Sequence, residues 1–354
     1  MFSFRKPKKT LLGVDISSSS IKVLEMAGEG LDYRLESYGI EPTPPDSVIE
    51  NTITDPEAVG DAIGKAVAKS GTNLKDAACA IAGPKVITKK ITVSSEISEK
   101  DLEGQVLLEM VQHIPHPIED ISLDFQIENR PGDSESPFEL TVVATKSENV
   151  DSCVVALERG GLNPKVIDIE LFALENAVSL TSKINEDDKL NSVLGVIDIG
   201  SSSTKFSVME NGLIVYNREQ NFGGKQLLNE IQRNYGLSYE EAKSGLAESS
   251  LETGYLEKIV APFVESASQE IERAIQLFYS SSNASRIEHI SLTGGCASLT
   301  GIIESVSSKT DTPVDIVNPF ENLSLKKDID REKLGQEATM LLTAFGLSSR
   351  GLNF

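Results

Sequence analysis

Short apolar, β-prone runs at residues 11–16, 21–26 and 33–40 predict three strands at the start of the chain. Only Ser17-Ser18-Ser19-Ser20 separates the first two, which makes them a hairpin with a tight polar turn. Residues 42–45 form a proline-bounded loop. In Asp55-Pro56-Glu57 an acid able to cap precedes a proline suited to the first helical turn, and Val59, Ile63 and Val67 then recur at helical spacing. Residues 77–81 read as a buried strand closed by Gly83-Pro84.

From Lys85 the pattern changes. Residues 86–93 are a strand, and Ser98-Glu99-Lys100-Asp101 starts a helix that carries Leu102, Val106, Leu107 and Met110 on one face. Residues 121–127 alternate like a half-buried strand, 130–137 are a loop, and 140–144 are another strand. A helix over 147–159 stops at Gly160-Gly161, and 166–169 return as a strand. This β-α-β-β-α-β run, about 85–169, reads as a small α+β module, of which 85–164 are assigned to an insert. A helix from Leu171 and a polar link at 185–189 lead to a second block: strands at 193–199, 204–210 and 213–219, then Gly223-Gly224 before a helix. Ser238-Tyr239-Glu240-Glu241 is a capping box opening another helix, and 256–279 form a long helical stretch. A strand at 287–292, a helix at 299–308, a short strand at 314–317 and a helix at 337–347 complete the chain. The implied organisation is a first lobe (1–84, 165–190, 335–354) carrying the inserted module. The second lobe then has a core (191–220, 285–334) and a mainly helical subdomain (221–284).

Two stretches match each other without a gap. Val14-Asp15-Ile16-Ser17-Ser18-Ser19-Ser20-Ile21-Lys22 lies beside Ile197-Asp198-Ile199-Gly200-Ser201-Ser202-Ser203-Thr204-Lys205, about half the chain away. Each copy sits between two strands, so the repeat implies a duplicated domain. Its chemistry suits phosphate: a Ser/Gly turn lets backbone N–H groups and hydroxyls approach an anion, and a strand-end Asp suits a hydrated Mg²⁺. Singly, each copy reads as an ordinary serine-rich turn; as a pair they predict a polyphosphate clasp with Asp15 and Asp198 on the metal. A third element, Leu292-Thr293-Gly294-Gly295-Cys296-Ala297-Ser298-Leu299-Thr300-Gly301, brings two glycines to a turn after a strand, with a helix following. No P-loop and no dinucleotide-binding glycine fingerprint occurs.

Composition narrows the function classes. The 354 residues suit two domains, and 54 acidic against 33 basic side chains give a net charge of −21, which disfavours nucleic acid. The exception is the start, Phe2-Ser3-Phe4-Arg5-Lys6-Pro7-Lys8-Lys9, either a frayed tail or a weak contact for a membrane surface or acidic partner. No apolar run is long enough to span a bilayer, and Asp15 and the serines interrupt any signal-like segment, so the expected location is cytoplasmic. Cys79, Cys153 and Cys296 lack metal or disulfide spacing and read as core residues, and His113 and His116 flank a proline where a helix ends.

The two serine hairpins followed by the glycine turn resemble the actin-like ATPase superfamily, an α/β, ribonuclease H-like duplicated two-lobe fold. In that resemblance residues 15–22 and 198–205 are the two phosphate motifs and 292–301, with Gly294, Gly295 and Ser298, the adenosine motif. Ser17 departs from the pattern, which carries Gly there. Gly223 and Gly224 fall beside the β-phosphate, Glu240 and Lys243 resemble the Glu-x-x-Lys pair for ribose and base, and Glu170 falls where the hydrolytic water is positioned. Read without it, Glu170 is a helix N-terminal acid, Gly223-Gly224 a turn, and Glu240 and Lys243 an exposed i,i+3 pair. Within the superfamily the whole chain is similar to the PilM family of type IV pilus assembly. The likeness extends to His113-Ile114-Pro115-His116-Pro117, Leu123-Asp124-Phe125-Gln126 and Gly161-Leu162-Asn163-Pro164. That implies ATP or ADP with Mg²⁺, at most slow hydrolysis, and capture of the cytoplasmic N-terminal peptide of the inner-membrane protein PilN. It places the chain at the inner membrane's cytoplasmic face without insertion, with other pilus inner-membrane and motor components as further partners. The alternatives are a small-molecule kinase of the same fold and an FtsA-like membrane-associated filament protein; the Gly/Ser-interrupted C-terminus resembles no interfacial helix.

Overall fold

In the computed structural model the described residues are 10–29, 32–94, 97, 99–129, 137–185, 189, 192–281 and 286–352. The basic tail at 1–9, the helix-start residue Ser98 and most of the loop at 130–137 lie outside them. The first sheet runs β10 (Asn163–Ile169), β6 (Asp76–Ile81), β1 (Leu12–Ile16), β2 (Ser20–Glu29), β3 (Asp32–Pro42), β16 (Ser324–Leu325). The second runs β13 (Leu213–Gln220), β12 (Thr204–Glu210), β11 (Leu194–Ile199), β14 (His289–Thr293), β15 (Val314–Ile316). Both are built around the same unit. A first strand pairs antiparallel with the next through the serine hairpin, and parallel with a later strand on its other side.

Helix packing follows from the alternation along those strands. Val14, Ile21 and Val23 bury against α1 (Pro56–Ser70) and α3 (Ser147–Arg159). Asp55 caps α1 by accepting from the Ala58 amide at 3.0 Å, and Gly71 ends it in the left-handed region at φ 69°. In the second lobe, Ile197, Ile199, Phe206 and Val208 bury against four helices: α5 (Gly224–Tyr235), α6 (Tyr239–Ala247), α7 (Ala261–Ser281) and α8 (Ile302–Thr310). The opposite faces of both sheets meet one shared core. Leu24, Met26 and Leu35 come from the first sheet and Leu194, Val196 and Met209 from the second. Between them lie Ala177 and Leu180 of α4 (Glu170–Asn185) and Phe345 of α10 (Leu342–Ser349). α10 runs so close to its neighbours that a Cβ at Gly346 would lie 1.8 Å from the Ala173 carbonyl oxygen, and one at Gly13 2.2 Å from that of Ala344.

The inserted module is a three-stranded sheet, β7 (Val86–Val93), β9 (Phe138–Lys146), β8 (Ile121–Asn129), covered on one face by α2 (Glu99–Met110). It is smaller than the expected 85–164. Cys153, Ala156 and Leu157 of α3 bury in the first-lobe core, while β10 pairs with β6 in the first sheet, the lobe to which 165–190 were assigned. Sequence order suggested one α+β unit, whereas the apolar face of α3 finds its partner in α1. β16 likewise pairs with β3 and not with the second lobe, where its residues were expected. The single helix expected at 337–347 is divided: Asp330 caps α9 (Arg331–Glu337), a 3₁₀ turn follows at Ala338–Met340, and α10 starts only at Leu342. Among the described residues no helix is long and apolar enough to cross a membrane.

The glycine contacts give a direct test. Gly346→Ala forces a methyl group into backbone and should destabilise the protein by about 1–3 kcal/mol or more. Gly335→Ala, in α9 with nothing within 4 Å of the added carbon, should stabilise it by about 0.5–1 kcal/mol. Urea unfolding of the two variants beside the parent checks both signs.

Candidate functional site

The duplicated hairpins end at the same place, facing each other. Their tips touch: Ser18 Oγ and Ser202 Oγ are 2.9 Å apart, sharing a hydrogen bond across the two lobes. Register is identical in the two copies, with Asp15 opposite Lys22 and Asp198 opposite Lys205. The first hairpin satisfies itself. Lys22 Nζ donates to Asp15 Oδ2 at 2.8 Å and to Ser17 Oγ at 2.8 Å, while Ser17 Oγ donates to the Ser20 carbonyl at 2.9 Å. Thr43 Oγ1 donates to the Ser17 carbonyl at 2.6 Å, tying the loop after β3 to the turn. A serine at 17 is accommodated there by these bonds, at a negative φ.

The second hairpin is arranged differently. Lys205 Nζ donates across to Glu170 Oε1, at the first turn of α4, and not to its own Asp198. Burial opposes the Lys205 charge, but Glu170 and Asp198 outweigh it and hold the ammonium above its ordinary pKa. Asp198 keeps part of its surface at the cleft, and among the described residues its carboxylate accepts no hydrogen bond. Desolvation raises its pKa and Glu170 and Asp15 add to that, against the pull of Lys205 and Lys22. The remaining hydroxyls are engaged: Ser203 Oγ donates to Glu219 Oε1 at 2.5 Å, and Thr204 Oγ1 to the Phe222 carbonyl at 2.7 Å.

The glycines differ in what they do. Gly294 sits at φ 91°, and a Cβ there would lie 2.2 Å from Asp198 Oδ1, so the turn after β14 presses directly on the second hairpin's acid. Gly295 is exposed beside it and Ser298 is exposed further along the turn. α8 starts only at Ile302, so the glycine turn is separated from the helix N-terminus expected to stand next to it. The Gly224 and Lys225 amides donate to the Gly200 and Ser201 carbonyls at 2.9 and 2.8 Å. Gly223-Gly224 therefore braces the second hairpin, and a Cβ on Gly223 would strike the Ser201 carbonyl oxygen at 2.6 Å. Cys296 lies against Gly224, and burial together with Asp198 pushes its thiol up to about 12. On α6, Glu240 is exposed and Lys243 half-buried, and among the described residues no ion pair joins them. The Ser238–Glu241 capping box forms as the pattern implied.

Several contributors had no clear signal in the sequence. A tight hairpin, β4 (Val48–Ile49) and β5 (Thr52–Ile53), reaches across the cleft, and Asn51 Nδ2 donates to Glu219 Oε1 at 2.7 Å. Its turn residues Glu50 and Asn51 both have positive φ, as a two-residue hairpin turn requires. Strands of two residues are too short to leave a periodicity. With both donors on one oxygen, Glu219 Oε2 is buried without a partner. Arg350 clamps Asp168 through two bonds of 2.5 and 2.6 Å, fixing the end of β10 two residues before Glu170. An Asp–Arg pair so distant in sequence leaves no local pattern.

Asp15, Ser17, Asn51, Glu170 and Lys205 line one cavity of about 50 Å³. A second, of about 110 Å³, lies on the other side of the Glu170–Lys205 pair, against Gly83, Pro84, Leu171 and Leu174. Both are small beside the roughly 300–1,000 Å³ of ligand pockets. The Ser18–Ser202 and Asn51–Glu219 bonds cross the cleft beside them. Among the described residues no group of three or more His, Cys, Asp or Glu is placed to hold a metal ion.

Comparison with known proteins places this geometry. The family model described as type IV pilus assembly protein PilM matches residues 13–352. A solved PilM–PilN type IV pilus biogenesis complex is similar over 98% of this chain and 100% of that one, at 25% identity and a TM-score of 0.81. The ethanolamine utilization protein EutJ from Carboxydothermus hydrogenoformans shares the fold over 97% of this chain and 90% of its own, with 16% identity and a TM-score of 0.56. MreB5 of Spiroplasma citri, solved with AMPPNP, shares it over 96% and 95%, with 14% identity and a TM-score of 0.50. The cell division protein FtsA of Bacillus subtilis (strain 168) is 24% identical over 254 residues, 66% of this chain, and the chain spans 56% of that relative's length. The fold is therefore actin-like, with the two serine hairpins at the base of its interlobe cleft. Since the family match runs unbroken across both hairpins, the inserted module and the two helices of the shared core, the chain belongs to the PilM family of type IV pilus assembly proteins.

Proposed function

We propose that the cleft binds ATP or ADP with Mg²⁺, and that the nucleotide sets the lobe arrangement in which the inserted module captures the cytoplasmic N-terminal segment of a PilN-like membrane protein. The observation that carries the reading is the pair of matched hairpins meeting tip to tip, Ser18 against Ser202, with one acid and one lysine behind each. Serine hydroxyls and turn amides are the donors that polyphosphate needs, presented from both lobes at once. Gly295, Ser298, Glu240 and Lys243 supply the adenosine side of the same cleft. Nucleotide-bound MreB5 on a similar fold supports the assignment.

The donor set fits a divalent cation held mainly by phosphate and water. Mg²⁺ keeps several waters, takes one or two carboxylates, and neutralises charge between phosphate oxygens when bound. Asp15 is already engaged by Lys22, so Asp198 is the carboxylate available to such an ion and Asp15 stands behind it. Four carboxylates (Asp15, Asp198, Glu170, Glu219) against Lys22, Lys205 and Arg218 leave the cleft short of positive charge. A polyphosphate without a metal is then repelled. Binding energy goes into a shift between open and closed lobes, with turnover slow. A kinase reading would need a free base for a substrate hydroxyl, and Glu170 is engaged by Lys205. The chain then works at the cytoplasmic face of the inner membrane through its partner. Other inner-membrane and motor components of the pilus are further partners in this reading.

For the partner, the module offers an apolar surface. On α2, Leu107, Leu108 and Val111 at its end are 39%, 68% and 51% exposed, beside the face that packs on the sheet. Single exposed leucines are ordinary, but two on this helix with a valine just past its end supply the apolar surface this reading assigns to the partner.

Two outcomes are expected. Asp198→Asn should lose most Mg²⁺-dependent ATP affinity by calorimetry, yet raise the thermal midpoint of the protein without nucleotide. The sign follows from the raised pKa. A carboxyl whose folded-state pKa lies above its unfolded value loses stability as pH rises through that window, so the charged form is a burden at neutral pH that Asn removes. For the same reason, ATP affinity in the parent should fall on acidification sooner than an ordinary aspartate would cause. Leu108→Glu should weaken the partner's N-terminal peptide by about tenfold or more while leaving ATP affinity unchanged. Failure of the parent to bind the peptide with or without ATP removes the assembly reading.

A further inference from the structure

The duplicated unit puts an acid and a lysine opposite each other twice, in the same register, and the two lysines then do different things. Lys22 stays within its own hairpin, with Asp15 and Ser17 each 2.8 Å away and a side chain 7% exposed. Lys205 leaves its hairpin and pairs with Glu170, a residue of the other half of the chain, at the start of a helix in the shared core. Asp198 is left with no hydrogen bond among the described residues. Arg350 and Asp168 hold the strand–helix junction that carries Glu170, so its carboxylate is presented from a fixed position. Both partners keep access to the cleft, at 26% and 18% side-chain exposure.

We propose that Glu170 is a built-in competitor for the phosphate-binding lysine. Resting on the nucleotide reading above, the inference adds that Lys205 is a positioning residue shared between Glu170 and the polyphosphate. A carboxylate carries one negative charge, and the phosphate chain of a nucleotide several. The incoming polyphosphate therefore draws Lys205 from Glu170 towards the second hairpin. Two things follow from one movement of a side chain. Part of the binding energy is used to break the Lys205–Glu170 pair, which lowers affinity. The same break uncouples α4 from β12, so occupancy of the second hairpin is transmitted to the core shared by both lobes. Lys22 has no such role, because its partner lies within its own turn.

The test is a double-mutant cycle on the full chain: parent, Glu170→Gln, Lys205→Met and the double variant, titrated with Mg-ATP and with inorganic tripolyphosphate in the presence of Mg²⁺, with thermal unfolding as a check on folding. Gln keeps the shape and a hydrogen-bond acceptor but not the charge. Glu170→Gln should bind both probes about tenfold more tightly than the parent, the range of one charge-assisted hydrogen bond. Lys205→Met should weaken both, and in its background Glu170→Gln should change affinity less than about twofold. An affinity for Glu170→Gln equal to or below the parent's overturns the proposal, and so does an equal gain in the Lys205→Met background. Absence of binding by the parent and every variant overturns the nucleotide reading itself. Binding by Glu170→Gln alone supports the competitor at its strongest.

Discussion

The arrangement depends on one apolar layer. α4 and α10 lie between the two sheets, and Ala177, Leu180 and Phe345 pack on strands of both. Because the contact is helix backbone on helix backbone at Gly346 and Ala173, the layer has little freedom to swell, and it sets how far apart the hairpins stand. Packed layers of this kind shift between discrete arrangements more readily than they deform. The cleft can then open and close as two lobes about the layer. The polar contacts across it, Ser18 to Ser202 and Asn51 to Glu219, are few and replaceable.

Electrostatics at the cleft follow from where that layer ends. Glu170 is the first residue of α4, so the core helix brings an acid directly to the second hairpin. Aligned peptide dipoles favour a negative charge at that end of a helix. Lys205 answers it, and among the described residues Asp198 is consequently left without a hydrogen-bond donor. A charge is tolerated in that position only if something else arrives to balance it. The metal-bound anion proposed above would supply that balance.

Much of this was legible in the sequence because the repeat is local. Six of nine aligned positions are identical without a gap, the strands on either side are apolar, and the resulting hairpins occupy equivalent places in two sheets. The capping signals at Asp55 and Ser238 were read correctly for the same reason: cap geometry is settled within four residues. What the sequence hid is non-local. The extent of the inserted module was misjudged because α3 has the same amphipathic pattern whichever sheet it covers. The β4–β5 hairpin was too short to leave a period, and the Asp168–Arg350 clamp joins residues at opposite ends of the first lobe. The most consequential miss is the choice made by Lys205. Its spacing from Asp198 is that of Lys22 from Asp15, and only the position of α4 decides that the two lysines turn in different directions.

That difference bears on why a duplicated unit would keep both copies. A symmetric clasp would hold polyphosphate equally from both sides and would have no reason to favour one lobe arrangement. Here the first hairpin is internally satisfied: Lys22 neutralises Asp15, Ser17 ties the turn to Ser20, and Thr43 anchors it from behind. It is a fixed platform. The second hairpin is braced by α5 and the Gly294 turn, but its charged groups are held by residues of the other half of the chain. A ligand bridging the two therefore meets one surface that needs no rearrangement and one that does. All the rearrangement falls on contacts that cross the cleft. In a protein whose family works in assembly, that concentrates the ligand's effect on the relation between lobes, where a partner can sense it.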